Sequence, residues 1–449
     1  MDNKDFITVS LNLKSERIRS LKTVHKNGRL YIYISLIPEY PDCEYCGGKV
    51  KIKEYKTVTI NHLPFAGMPS TIIWKRTRYI CKDCAKTFSE ANPFGFDGFH
   101  QSYAVLDNIA RSLHNINLTF RQIADMHNVS STIIEAYADS FIRVPRMSLP
   151  ENLGIDEIHS HMAKYGGAYL CVFVDNKNRT LNELLCDRSK RTLFRYFDKI
   201  PLSERSKVKY VTIDMWQPYK DTVLKYLPNA KIAVDPFHVI KHLTDSFESL
   251  RIMIMKRVAL YSPSYYLLKH WRKLLLSDYE LDNEPKYNGY FKCKLNYRDI
   301  FNMLLDISPQ LKEAYYLKEL YRYFNKNCNY EKAEEELSDI ITEFERRDPG
   351  CYEDFIEMLK NWKDEIINSF ERPYSDRKQS NALAESINQK LRILIDVSNG
   401  YANFERFRAR AIYCLNDRIF YSLSGRLSHS NKRKGKLRGT YNKTNSNNS

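Results

Sequence analysis

The stretch Tyr210-Val211-Thr212-Ile213-Asp214 constrains this chain more than any other. Its β-branched and aromatic residues read as a short buried strand, which stops at a carboxylate ahead of the proline-terminated turn Met215-Trp216-Gln217-Pro218. An acid at the C-terminal tip of a strand points into a crevice rather than a core. Taken alone, Asp214 has the ordinary reading of a surface or capping acid. It is not alone, because Leu153-Gly154-Ile155-Asp156 has the same build, and two such tips in one sheet are able to share a metal.

The pattern around these tips is α/β. Strands are expected at 154–159, 168–175 and 180–187, a helix at 191–200, the strand ending at Asp214, a helix at 219–226 and a strand at 231–234. Three strands, a helix and then a strand carrying an acid is the order of a ribonuclease-H-like domain. Asp235 and His238 follow directly, either as accessory site groups or as an N-capping acid and a polar helix residue. Residues 244–370 break the sheet pattern with Leu- and Tyr-rich helical spacing and read as a helical insertion. A third acid is expected on a helix after it. In 381–392, Leu383, Ile387 and Leu391 form an apolar stripe, while Asn381, Glu385, Asn388 and Arg392 share another face, with the amide and guanidinium groups suited to phosphate.

Toward the N-terminus, Cys43-Glu44-Tyr45-Cys46 and Cys81-Lys82-Asp83-Cys84 flank 34 strand-like residues. Two such knuckles across a hairpin supply four thiolates for a closed, structural zinc site; four free thiols are the alternative. Lys75, Arg76 and Arg78 beside the second knuckle form either a phosphate-facing strand or a solvated one. Residues 119–137 fit helix, tight turn, helix, with Ile123, Ala124, Val129, Ile133 and Tyr137 as the buried set and Ser130 as N-cap. Arg121, Ser131 and Thr132 are then the candidate DNA contacts, with Glu135 also offered to the major groove, although hairpins that bind nothing share the pattern. A net charge of +16 and 32 Tyr suit a polyanionic partner, and nucleic acid leads. No apolar run of about 18 residues, amino-terminal signal pattern or lipidation motif is present, so no membrane partner and a cytoplasmic, nucleoid-associated location are expected.

The run Thr212 to Tyr219, Pro228-Asn229-Ala230 and Asp235-Pro236-Phe237-His238-Val239 resembles the catalytic region of bacterial insertion-sequence transposases of the ISL-three family. The knuckles, the helical pair, Ser380-Asn381 through Glu385, and Gly400-Tyr401-Ala402-Asn403-Phe404-Glu405-Arg406-Phe407-Arg408 extend the likeness over about 43–414. The chain departs from the pattern at Ser386-Ile387 and over 393–397, where a basic stretch is expected. The resemblance implies that Asp156, Asp214 and Glu385 form an Asp-Asp-Glu triad. It also implies a homo-oligomer on DNA, because two element ends must be processed together. Oxygen ligands select magnesium or manganese, and two ions roughly 4 Å apart would serve in-line displacement at a phosphodiester. The expected architecture is multidomain: N-terminal strands with the zinc ribbon at 1–100, a helix-turn-helix at 101–148, the ribonuclease-H-like catalytic domain at 149–243, the helical insertion at 244–370, catalytic C-terminal helices at 371–424 and a basic disordered tail at 425–449. A DNA-binding regulator built on an inactive nuclease-like domain is the rival reading.

Overall fold

Asn27 and Gly28, both at positive φ (52° and 69°), close the first hairpin, between β1 (Ile18–Lys26) and β2 (Arg29–Leu36). An Asn-Gly turn of this kind matches the right-handed twist of its strands. The long hairpin β3 (Val50–Phe65) and β4 (Met68–Cys81) turns at Ala66-Gly67, and the sheet order is β1-β2-β4-β3, with β5 (Thr87–Ser89) pairing β4. Alternation puts Ile32, Ile34, Ile60, Ile72 and Trp74 into one buried layer. The computed structural model describes residues 11, 13–162, 167–374, 378–398, 401–417 and 421–423; the expected tail at 425–449 lies outside them.

Three capped helices follow: Tyr103–His114 behind Ser102, Phe120–His127 behind a Thr119–Gln122 capping box, and Ser131–Phe141 behind Ser130. Asn128 ends the second helix in the left-handed conformation and turns the chain into the third. Ile123, Ala124 and Tyr137 are buried as the sequence implies, but Val129 and Ile133 are only partly buried. The core position is Ile134, because Ile134, Tyr137, Ala138 and Phe141 lie on one helix face. Helix Phe404–Leu415 joins this cluster: the Tyr413 ring enters its core and its hydroxyl donates to the Ala110 carbonyl at 3.1 Å. The sequence puts this helix with the catalytic ones. Among the described residues, the structure instead groups those up to 145 with those from 390 onward as one compact unit and those within 146–389 as the other. The reason is in the arginines: Arg410 caps the Asn115 and Leu118 carbonyls, and Arg406 pairs with Glu135 (2.8 Å) and Asp139 (2.7 Å).

The unit 146–389 is built on β6 (Asn152–His159), β7 (Tyr169–Asp175), β8 (Thr180–Leu185), β9 (Tyr210–Ile213) and β10 (Lys231–Val234), in the order β10-β9-β6-β7-β8. The pairs β6–β7 and β7–β8 are antiparallel; β6–β9 and β9–β10 are parallel, with crossovers through Lys190–Phe197 and Gln217–Tyr226. Gly154 in β6 is required by close approach, since a Cβ there would lie 2.5 Å from Val174 Cγ2. The expected insertion boundary at 244 falls inside a single helix, Pro236–Arg257, whose stripe of Val239, Leu243, Phe247 and Leu250 is continuous. One core therefore runs from sheet residues such as Ile155 and Ile213 to Leu304, Leu317, Leu337 and Phe355 of the helical segment. Among the described residues no helix is long and apolar enough to cross a membrane.

Candidate active site

Parallel pairing of Gly154 with Thr212 sets the register of β6 against β9. Two residues further along each chain, Asp156 and Asp214 emerge side by side, one strand spacing apart. Oxygens of Asp156, Glu157 and Asp214 lie within 4.8 Å of one another, as do donor atoms of Asp214, Asp235 and His238. Crowded, desolvated carboxylates resist ionisation. Burial, then the neighbouring Asp214, pushes the Asp156 carboxyl up to about 7. Burial also raises Glu157, which Arg188 and the Tyr219 hydroxyl partly offset, and burial raises Asp235.

Each acid is held by a neutral or cationic donor. Asp214 accepts from His238 Nε2 at 3.0 Å and from Asn381 Nδ2 at 3.2 Å. The bond to Asp214 raises the His238 imidazole pKa. Asp156 accepts from Asn388 Nδ2 at 2.8 Å and from the Glu157 amide at 2.7 Å. Asp235 N-caps helix Pro236–Arg257, accepting from the Phe237 amide at 3.1 Å, and it also lies in the close group with Asp214 and His238.

Helix Ala382–Val397 carries Glu385, the acid expected to be the third. Asn381 and Asn388, spaced seven residues apart, lie on one helix face, and Glu385 sits between them. Glu385 is exposed, belongs to neither close group, and acts electrostatically on Asp235. The side-chain Oδ1 atoms of Asn381 and Asn388 are buried without a protein partner. Orphan acceptors beside clustered oxygens suit a hydrated magnesium or manganese ion, which Asp156 and Asp214 would hold.

In the other unit, the β3–β4 register pairs Val50 with Cys81 and closes both knuckles on one point. Cys43 and Cys84 sulfurs are 3.7 Å apart, and Cys46 and Cys81 sulfurs 3.5 Å. Four thiolates bound at about 2.3 Å to a tetrahedral zinc have edges of about 3.8 Å, so the group fits that ion. The Cys84 and Asp83 amides aimed at Cys81 lower its thiol to about 7.

The candidate DNA contacts differ in exposure and in their partners. Arg121, Ser131, Thr132 and Arg392 are exposed; Lys75 is exposed with its Nζ 4.7 Å over the Tyr55 ring. Arg76 pairs with Asp97 and Arg78 with Glu54, both at 2.8 Å, and the expected groove residue Glu135 is taken by Arg406. Asn388, expected to meet phosphate, is buried against Asp156 because its amide satisfies that acid. Sequence reasoning passed over Glu157, since strand alternation assigns it to the face opposite Asp156. It also passed over Asn381 as a partner of Asp214, for which amides on either side of Glu385 are the available signal.

A family model described as "Transposase", covering the DDE transposases of the ISL-three family, matches residues 153–411, more than half of the chain. A second, described as the zinc-finger of transposase IS204/IS1001/IS1096/IS1165, matches residues 39–84. The transposase for insertion sequence element IS1001 of Bordetella parapertussis is 23% identical over 389 residues, which cover 84% of this chain and 89% of that protein. The transposase for insertion sequence element IS1557 of Mycobacterium tuberculosis is 23% identical over 303 residues, covering 64% of this chain and 65% of that protein.

Proposed function

The chain belongs to the ISL-three family of DDE transposases, and from that premise we propose that Asp156, Asp214 and Glu385 are the carboxylates with which it cuts and joins DNA. The observation that carries this reading is the pair of amides around Glu385. Asn381 bonds Asp214 and Asn388 bonds Asp156, so the helix bearing the third acid is registered against the first two. Magnesium or manganese held by these carboxylates supplies activation of the attacking oxygen and stabilisation of the leaving oxygen. The chain's own groups do the positioning. The asparagine amides fix the carboxylate rotamers of Asp156 and Asp214, and His238 holds Asp214.

In the proposed reaction water first attacks the phosphodiester at an element end and releases a 3′-hydroxyl. That hydroxyl then attacks a target phosphodiester, forming one P–O bond as another breaks. The five-stranded sheet, with Asp156 inside β6 and Asp214 just past the end of the neighbouring β9, acts as a ribonuclease-H-like scaffold, and the helices at 120–127 and 131–141 act as a helix-turn-helix that, with the zinc ribbon, binds the terminal repeats. The protein works as a homo-oligomer holding two ends.

The test is cleavage of a duplex carrying the element's own end. Wild type nicks it only with a divalent ion, while Asp214→Asn binds it with near wild-type affinity and does not nick. Near-normal cleavage by Asp214→Asn overturns the assignment. Ion-indifferent binding without nicking by the wild type favours a regulator.

A further inference from the structure

Helix Ser131–Phe141, the one offered to the major groove, contains no Lys or Arg and carries two acids one turn apart, Glu135 and Asp139. Alone it would meet the phosphates of DNA with like charge. Its compensation comes from the far end of the chain, 267 and 271 positions away. Helix Phe404–Leu415 sets Arg406 against both acids, with two bonds to Asp139 at 2.7 Å and one to Glu135 at 2.8 Å. A cavity of about 300 Å³ opens between the two helices, lined by Asp139, Ile142, Asn403, Arg406, Arg408 and Arg410 among others. Arg410 is buried, and among the described residues no carboxylate pairs with it. Its guanidinium meets the Tyr401 hydroxyl at 2.9 Å and the Asn115 and Leu118 carbonyls, and its Nε–H is buried without a partner. Arg408 is half-buried and donates to the Val144 carbonyl at 3.4 Å. With Asp139 satisfied by Arg406, the other acid in the lining is the exposed Glu405.

A buried guanidinium without a counter-anion is costly, because carbonyls satisfy its hydrogen bonds without cancelling its charge. An anion in the adjoining cavity cancels it. The neighbouring helix indicates the source of that anion, since a helix entering the major groove is flanked by DNA backbone. This helix has no cation of its own, so its phosphate contacts must be supplied by a neighbour. We propose that the cavity is a phosphate site of the end-binding surface, where one backbone phosphate of the element end meets Arg408. Arg410 balances its charge from within the wall, and Arg406 masks the acids of the recognition helix. Helix Phe404–Leu415 thereby belongs to the DNA-recognition surface. This inference rests on the helix-turn-helix reading above.

The test is gel-shift titration of the full-length, zinc-loaded protein on duplexes carrying the element's own end. Arg408→Ala binds about fivefold or more weakly than wild type, and its salt dependence is shallower by about one phosphate. Duplexes with a single neutral methylphosphonate are then scanned across the end. At one position the substitution weakens wild type as much as Arg408→Ala does and leaves that variant unaffected. Arg406→Ala also binds weakly, and adding Glu135→Gln and Asp139→Asn restores affinity to within about threefold of wild type. Wild-type affinity in Arg408→Ala, methylphosphonate losses that add to its defect at every position, or an Arg406→Ala defect that the amides do not relieve overturns the proposal. Thermal stabilisation of wild type by inorganic phosphate, with no such position in the duplex, marks a free-anion site and overturns the DNA assignment. If the double variant Ser131→Ala, Thr132→Ala binds the end like wild type, the helix-turn-helix reading fails instead.

Discussion

Asp156 ionises against its surroundings. Its carboxyl, at 3.8 in an open chain, is pushed up to about 7 by burial and by Asp214. The folded state therefore binds more protons than the unfolded state between these values, and stability falls as pH rises from about 4 to about 7. Asp156→Asn stays neutral throughout. In chelator at pH 8 it should melt higher than wild type, by on the order of a few kcal/mol of stability, with a flatter pH profile below 7. Magnesium should raise the melting temperature of wild type but not of this variant. A variant that melts lower than wild type at pH 8 would contradict the conflict described here. Asn388 is buried and donates its side-chain amide to Asp156. Asn388→Ala should lower divalent-ion affinity or the cleavage rate about 10- to 100-fold and leave end binding unchanged in a gel-shift titration.

At the scale of elements, the β3–β4 hairpin is what makes two distant Cys pairs one site. Cys43→Ser should lose the zinc equivalent that wild type releases to a colorimetric chelator under thiol modification, with reduced thermal stability. The helix Ser131–Phe141 shows where sequence legibility stops. Ile133 and Ile134 are adjacent and equally apolar, so only the partners Tyr137, Ala138 and Phe141 decide that Ile134 turns inward. Ile134→Ala should cost about 2–5 kcal/mol in a denaturant melt and Ile133→Ala distinctly less. Asp214 was legible as a strand tip because an apolar run ends in that acid, whereas Asp156, expected at a tip too, lies inside β6, where strand alternation decides which side chains face the site. Glu157 was hidden by that same alternation, and the paired amides Asn381 and Asn388 look like any polar helix face until β6 and β9 are beside them. The site of helix Phe404–Leu415 was not legible either, because Arg406 and Arg410 show no partner in a sequence, and their partners lie about 270 to 295 positions away.

For the molecule as a whole, groups separated by the entire helical segment meet at one place. Asn381 lies 167 positions from Asp214 and Asn388 lies 232 from Asp156, and both pairs are in hydrogen-bond contact. The continuous core from the sheet into 244–370 explains how a chain can interrupt its site with so many residues and still register it, since the segment packs on the sheet that it interrupts. The most direct measurement of the central claim is iron(II) substitution in the DNA-bound protein, with backbone cuts by locally generated hydroxyl radicals mapped along the chain. Cuts clustered at Asp156, Asp214 and Glu385 and suppressed by excess magnesium are predicted. Cuts near Asp156 and Asp214 with none near Glu385 would contradict the shared-ion site.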